Sequence, residues 1–171
     1  MPEPKSKPNP PKAPKHQVLD PADRARLRAF NTSENAEKAV NLVSNNLEYL
    51  TDPTLAFKTA PKGEKELKAT FYIKNQPALS ININPTDGAI LPKGLHGHDD
   101  LDENESQQAI DLATKTLADL QKSSAPTSPF TVLPAAEFRE PHSCWAVPIA
   151  HRGRIIGHIK VSADGSRLLD A

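Results

Sequence analysis

Ala36-Glu-Lys-Ala-Val-Asn-Leu-Val-Ser-Asn-Asn-Leu-Glu-Tyr-Leu50 and Ser106-Gln-Gln-Ala-Ile-Asp-Leu-Ala-Thr-Lys-Thr-Leu-Ala-Asp-Leu120 lie 70 residues apart and align without a gap. Ala39 falls on Ala109, Leu42 on Leu112, Leu47 on Leu117 and Leu50 on Leu120. Both stretches carry apolar residues at helical spacing. Ala36, Ala39, Val40, Val43, Leu47 and Leu50 form one stripe, and Ala109, Ile110, Ala113, Leu117 and Leu120 another. Asn104 with Gln107 is the expected capping pair of the second helix.

The segments C-terminal to the two helices are also alike. Leu67, Ala69, Phe71 and Ile73 alternate with polar residues, turn at 75–77, and continue as Leu79, Ile81 and Ile83. Trp145, Val147 and Ile149 turn at Arg152-Gly153 and continue as Ile155, Ile159 and Val161. A period of two predicts hairpins with one buried face. Each hairpin runs into an Asp-Gly turn, Asp87-Gly88 and Asp164-Gly165, where glycine allows positive φ. Further strands are expected at 54–59 and 130–139. Pro148 removes a ladder donor, so its strand is expected at an edge or at a bulge.

The fold class read from this pattern is α+β, with two tandem helix-on-antiparallel-sheet repeats. Repeat one covers 32–95 and repeat two 106–171, with an acidic, histidine-containing linker at 96–105. Ahead of them lie a tail at 1–17 and a peripheral helix at 18–31, with Asp20 as cap and Pro21 at its first position. The tail holds six of the 17 prolines, interleaved with Lys5, Lys7, Lys12 and Lys15. It reads as a disordered, extended segment, either solvated or able to dock on an acidic partner or nucleic acid.

The chain has 171 residues, with 21 basic and 21 acidic side chains, so formal charge is zero. Arg24, Arg26 and Arg28 are spread around the first helix and make no basic stripe, which argues against nucleic acid as its partner. No apolar run reaches the roughly 20 residues that span a bilayer. One cysteine excludes an internal disulfide and a multi-cysteine zinc site. The first residues contain no apolar signal core, which points to the cytoplasm.

The second half resembles PepSY-like domains. The likeness rests on the Ala/Leu helix, Trp145-Ala-Val-Pro-Ile149, and Gly157-His-Ile-Lys-Val161-Ser-Ala-Asp164-Gly165, with residues 36–91 as a more diverged copy. The resemblance implies a cystatin-like helix-on-sheet fold. It also implies a binding or inhibitory role, as in peptidase propeptides and tandem modules of bacterial proteins, with no catalytic residues. Such domains are usually exported or membrane-attached, unlike the location read from this N-terminus.

Two clusters suggest chemistry. His151, Arg152 and Arg154, with His158 and Lys160 on the adjoining strand, form a basic patch suited to an anion, a carboxylate or an acidic partner. The same pattern also describes an ordinary charged hairpin tip. His96, His98 and Asp99 could hold a divalent transition metal such as Zn, Ni or Cu, or could belong to a solvated linker. Cys144, beside His142 and Ser143, reads as a small buried hydrophobe rather than a nucleophile. No phosphate loop, dinucleotide fingerprint, HExxH or GxSxG is present. The expected function is therefore non-enzymatic recognition of a protein or peptide through sheet faces and edges. Metal binding and a small-molecule or enzymatic cystatin-like site are the alternatives.

Overall fold

The structure is a computed structural model and describes residues 20–51, 53–59, 61–124 and 128–171. The tail at 1–17 lies outside the described residues. Helix α1 (Pro21–Phe30) starts as the sequence indicates: the Asp20 carboxylate accepts from the Asp23 N–H at 2.8 Å. It meets the rest of the molecule near Glu140, with Arg28 Nε 3.6 Å from the Glu140 carboxylate.

Helix α2 (Ser33–Asn46) is followed by β1 (Thr54–Thr59), β2 (Lys65–Ile73) and β3 (Gln76–Ile83). These form an antiparallel sheet in the order β1-β2-β3, and β4 (His98–Asp99) pairs with the start of β2. Helix α3 (Glu103–Ser124) leads to a second antiparallel sheet of β5 (Thr131–Val132), β6 (Glu137–Arg139), β7 (Cys144–His151) and β8 (Arg154–Ser162). Both hairpin turns are two residues long with φ positive at both, Lys74-Asn75 in one and Arg152-Gly153 in the other. That geometry matches the right-handed twist of the flanking strands.

The second helix is capped two residues earlier than the pair read from sequence. The Asp102 carboxylate accepts from the Glu105 N–H at 2.8 Å, and the Glu105 carboxylate reaches back to the Asp102 N–H at 3.4 Å. This reciprocal box satisfies two otherwise orphaned donors, which Asn104 with Gln107 would do one turn fragment too late.

Of the two places expected for Pro148, the structure gives the bulge and not the edge: the β7–β8 register shifts between Ile149 and Ala150, one residue away. Strand β7 lies inside its sheet, with β8 on one side and both β5 and β6 on the other. The proline falls where that other side is broken, between the β6 pairing at 144–146 and the β5 pairing at 149–150. Its carbonyl still accepts from the Leu133 N–H at 3.0 Å, so the missing donor costs no ladder bond from a continuous strand.

The two sheets are joined reciprocally. After Gly88, the chain returns along β3, with the Leu91 N–H bonding to Asn82 O at 2.9 Å, and then reaches β8 through Lys93 N–H to Ile155 O at 2.8 Å. After Gly165, it returns along β8, with Leu169 N–H to Lys160 O at 2.9 Å, and then reaches β3 through Ala171 N–H to Pro77 O at 2.9 Å. Between these bridges Gly157 sits against Leu79 and Ser80. A Cβ there would lie 2.9 Å from the Leu79 side chain and 3.1 Å from Ser80 O, so a larger residue would have to push them aside.

One core runs through the molecule, drawing on both helices and on the inward faces of both sheets. The helices do not simply cover the sheets of their own halves. Helix α2 packs on β5, β7 and β8, burying Ala39 and Val43 completely. Gly165 is the point of closest approach: a Cβ there would lie 2.7 Å from Lys38 Cβ. Helix α3 is tied to the first sheet, through Lys65 Nζ to Ser106 Oγ at 3.1 Å and through Gly88, whose Cβ would lie 2.9 Å from Leu112 Cβ. By these contacts Ala113, not Ala109, occupies in α3 the place that Ala39 occupies in α2, one helical turn beyond the ungapped alignment.

Candidate functional site

The outer face of the second sheet is defined by its register. Residues directly opposite one another in an antiparallel pair share a face. Glu137, Ala146 and Lys160 therefore form one row across β6, β7 and β8, and Arg139, Cys144 and Ser162 form the next. Pro148 and His158 form a third, two-strand row. The central strand supplies Cys144, Ala146 and Pro148, all buried, while the flanking strands supply long charged side chains. The result is a row of small buried residues on the central strand with charged residues on the strands to either side.

Lys93 joins these charged residues. The bridging segment carries it over β8, where its ammonium donates to His158 Nδ1. The His158 proton accordingly sits on Nε2. Partial burial first, then the Arg139 guanidinium, lower the Lys93 pKa to about 8; the Glu137 carboxylate opposes this, and Lys160 adds to it. Partial burial first, then Lys93 and Arg139, lower His158 to about 4. Four basic side chains thus crowd one face, where the Glu137 carboxylate acts on Lys93. Burial pushes the Cys144 thiol up, against the lowering by Lys160 and Arg139, as befits a packed hydrophobe and not a thiolate nucleophile.

The five basic residues grouped by sequence do not form one patch. His158 and Lys160 belong to the outer face of the second sheet. His151, Arg152 and Arg154 border a separate open groove of about 760 Å³ beside α3, together with Asp87 and Asp119. The cause is a bulge. Ile149 pairs with Gly157 but Ala150 pairs with Ile155, leaving Ile156 as the extra residue. One inserted residue reverses the alternation, so Arg154 and His158, four apart, lie on opposite faces. The His151 ring is also engaged inward, edge-on to Phe130 with centroids 6.3 Å apart and Nδ1 3.2 Å from Pro129 O.

Of the three residues read as metal ligands, His96 is turned to a buried carboxylate: its Nδ1 lies 2.6 Å from Glu66 Oε1, and Glu66 is 6% exposed. His98 and Asp99 form β4, with His98 the backbone partner of Glu66 and Asp99 that of Lys65. Their side chains lie outside what the structure describes. Among the described residues, no group of three or more His, Cys, Asp or Glu side chains converges to hold a metal ion. Among them, too, no helix is long and apolar enough to cross a membrane.

Sequence pattern alone does not single out Lys93, Arg139 or Glu66. Arg139 and Glu66 look like ordinary polar alternates of their strands. Lys93 sits in a linker, and only the crossing from β3 to β8 brings it to His158. No family model, curated protein or solved structure matches this chain.

Proposed function

We propose that this chain is a non-enzymatic recognition module that engages a protein or peptide partner through the outer face of its second sheet. The observation that carries the reading is the cluster of Lys93, Arg139, His158 and Lys160 gathered beside the buried row of Cys144, Ala146 and Pro148. A cluster of basic groups on one sheet face suits an acidic segment of a partner. Burial keeps Cys144 a thiol, which favours recognition over nucleophilic catalysis at this face.

The same reading extends to the origin of the fold. Each half consists of a helix, a hairpin and an Asp-Gly turn whose glycine seats a helix at an alanine, Gly88 at Ala113 and Gly165 at Ala39. Together with the two reciprocal bridges, this supports a tandem duplication of a PepSY-like unit with its packing exchanged between the copies.

The test is affinity capture from the native host with the full chain and with an Arg139→Glu, Lys160→Glu double variant of unchanged circular dichroism. A specific partner recovered with the parent and lost with the variant is the expected outcome. An identical set of captured proteins from both would refute the reading.

A further inference from the structure

The outer face carries more than generic positive charge. Its basic groups come from three separate elements. Arg139 projects from β6, His158 and Lys160 from β8, and Lys93 from the segment that bridges the sheets. Among the described residues, no carboxylate forms an ion pair with any of the four. The Lys93 ammonium is spent on a neutral imidazole, an acceptor that brings no charge. Glu137 lies in the same row as Lys160, across Ala146. The cluster is therefore short of negative charge on a partly desolvated surface, where each additional anion is worth more than in open water.

We propose that Lys93, Arg139, His158 and Lys160 form a carboxylate-binding site for an acidic side chain of the partner segment, whose occupation is linked to fractional proton uptake. This rests on the recognition reading and names the group recognised. A carboxylate fits better than a phosphate because Glu137 borders the same row and repels a dianion more strongly than a monoanion. An entering carboxylate accepts from Arg139 and Lys160 and draws the Lys93 ammonium from the imidazole.

Proton uptake follows from the charge balance. Unliganded, Lys93 is lowered to about 8 by partial burial, Arg139 and Lys160, and is raised by Glu137. His158, lowered to about 4 by partial burial, Lys93 and Arg139, is neutral at pH 8. Cys144, beneath Arg139 and Lys160, is raised by burial and stays a thiol. A bound anion favours the charged form of Lys93, so at pH 8 up to about half a proton is taken up per site. At pH 6.5 Lys93 is already protonated and His158 still neutral, so uptake there is smaller.

The probe is acetyl-Asp-Asp-Asp-amide, titrated calorimetrically into the full chain at pH 6.5 and pH 8 in two buffers of different ionisation heat. Saturable one-to-one binding is expected. Proton uptake should be larger at pH 8, and affinity should fall at least fivefold in Arg139→Gln or Lys160→Gln. Lys93→Met should retain the fold and lose the pH 8 uptake, which keeps the proposal testable even if an arginine variant fails to fold. Absence of saturable binding, or equal affinity in parent and variants, overturns the proposal. So does tighter binding of inorganic phosphate than of the peptide. Peptide binding with no partner dependent on this face sinks the recognition reading alone. Partner loss in the double variant with no peptide binding sinks the carboxylate assignment alone.

Discussion

Gly88 and Gly165 are the residues on which the helix positions depend. Both have positive φ, +75° and +76°, and both are pressed against helix backbone. Alanine at either position incurs the left-handed penalty and a clash with a neighbour that cannot move as a side chain could. We expect Gly165→Ala and Gly88→Ala to lose about 2–4 kcal/mol in urea unfolding. Gly94 also has positive φ, +90°, but open space around it, so Gly94→Ala should lose only about 1–2 kcal/mol. Equal losses at all three positions would contradict this packing.

The basic cluster makes a second residue-level prediction, in pH. His158 has an ordinary value of 6.5 and a folded value of about 4. The unfolded chain therefore binds this proton first, and stability falls as pH drops from about 6.5 toward 4. Lys93, lowered from 10.5 to about 8, gives the same sign in a higher window, with stability falling as pH drops from 10.5 toward 8. The urea midpoint measured against pH should lose its lower slope in His158→Gln and its upper slope in Lys93→Met.

At the scale of elements, capping and ladder chemistry decide where the chain starts and stops. Asp102 holds the first turn of α3 in a two-bond box with Glu105. Asp102→Ala should cost about 1 kcal/mol, and Asn104→Ala much less, reversing what the sequence pattern favours. Thermal unfolding of the two variants compares them directly. The short pairing of β4 with β2 is reinforced where His96 meets the buried Glu66 carboxylate. His96→Ala removes a partner of that carboxylate and should cost about 1–2 kcal/mol by the same measurement. The bulge at Ile156 shows how one residue outweighs a pattern. Alternation along β8 assigns Arg154 and His158 to one face, and the extra residue parts them.

Across the whole molecule, the halves depend on each other. The apolar stripe of α2 is buried on β5, β7 and β8, and the two strand extensions bond to opposite sheets. Separated fragments 1–101 and 102–171 should each lack a cooperative unfolding transition. Mixed together, they should recover the far-ultraviolet spectrum and a single transition of the intact chain. Two fragments that each unfold cooperatively alone would contradict the exchanged packing. A unit of roughly 60–70 residues has little core to spare, so losing a helix to the other half leaves neither self-sufficient.

The elements were legible in the chain itself because their causes are local. Helical stripes, period-two strands, Asp-Gly turns and the Asp20–Pro21 start all arise from neighbouring residues. Half of the basic cluster was legible for the same reason, since His158 and Lys160 are two apart on one strand. The partner sheet of α2 and the meeting of Lys93 with Arg139 and His158 were not. They arise from contacts between segments tens of residues apart, and a side chain carries no local mark of which distant surface will desolvate it or which charge will face it.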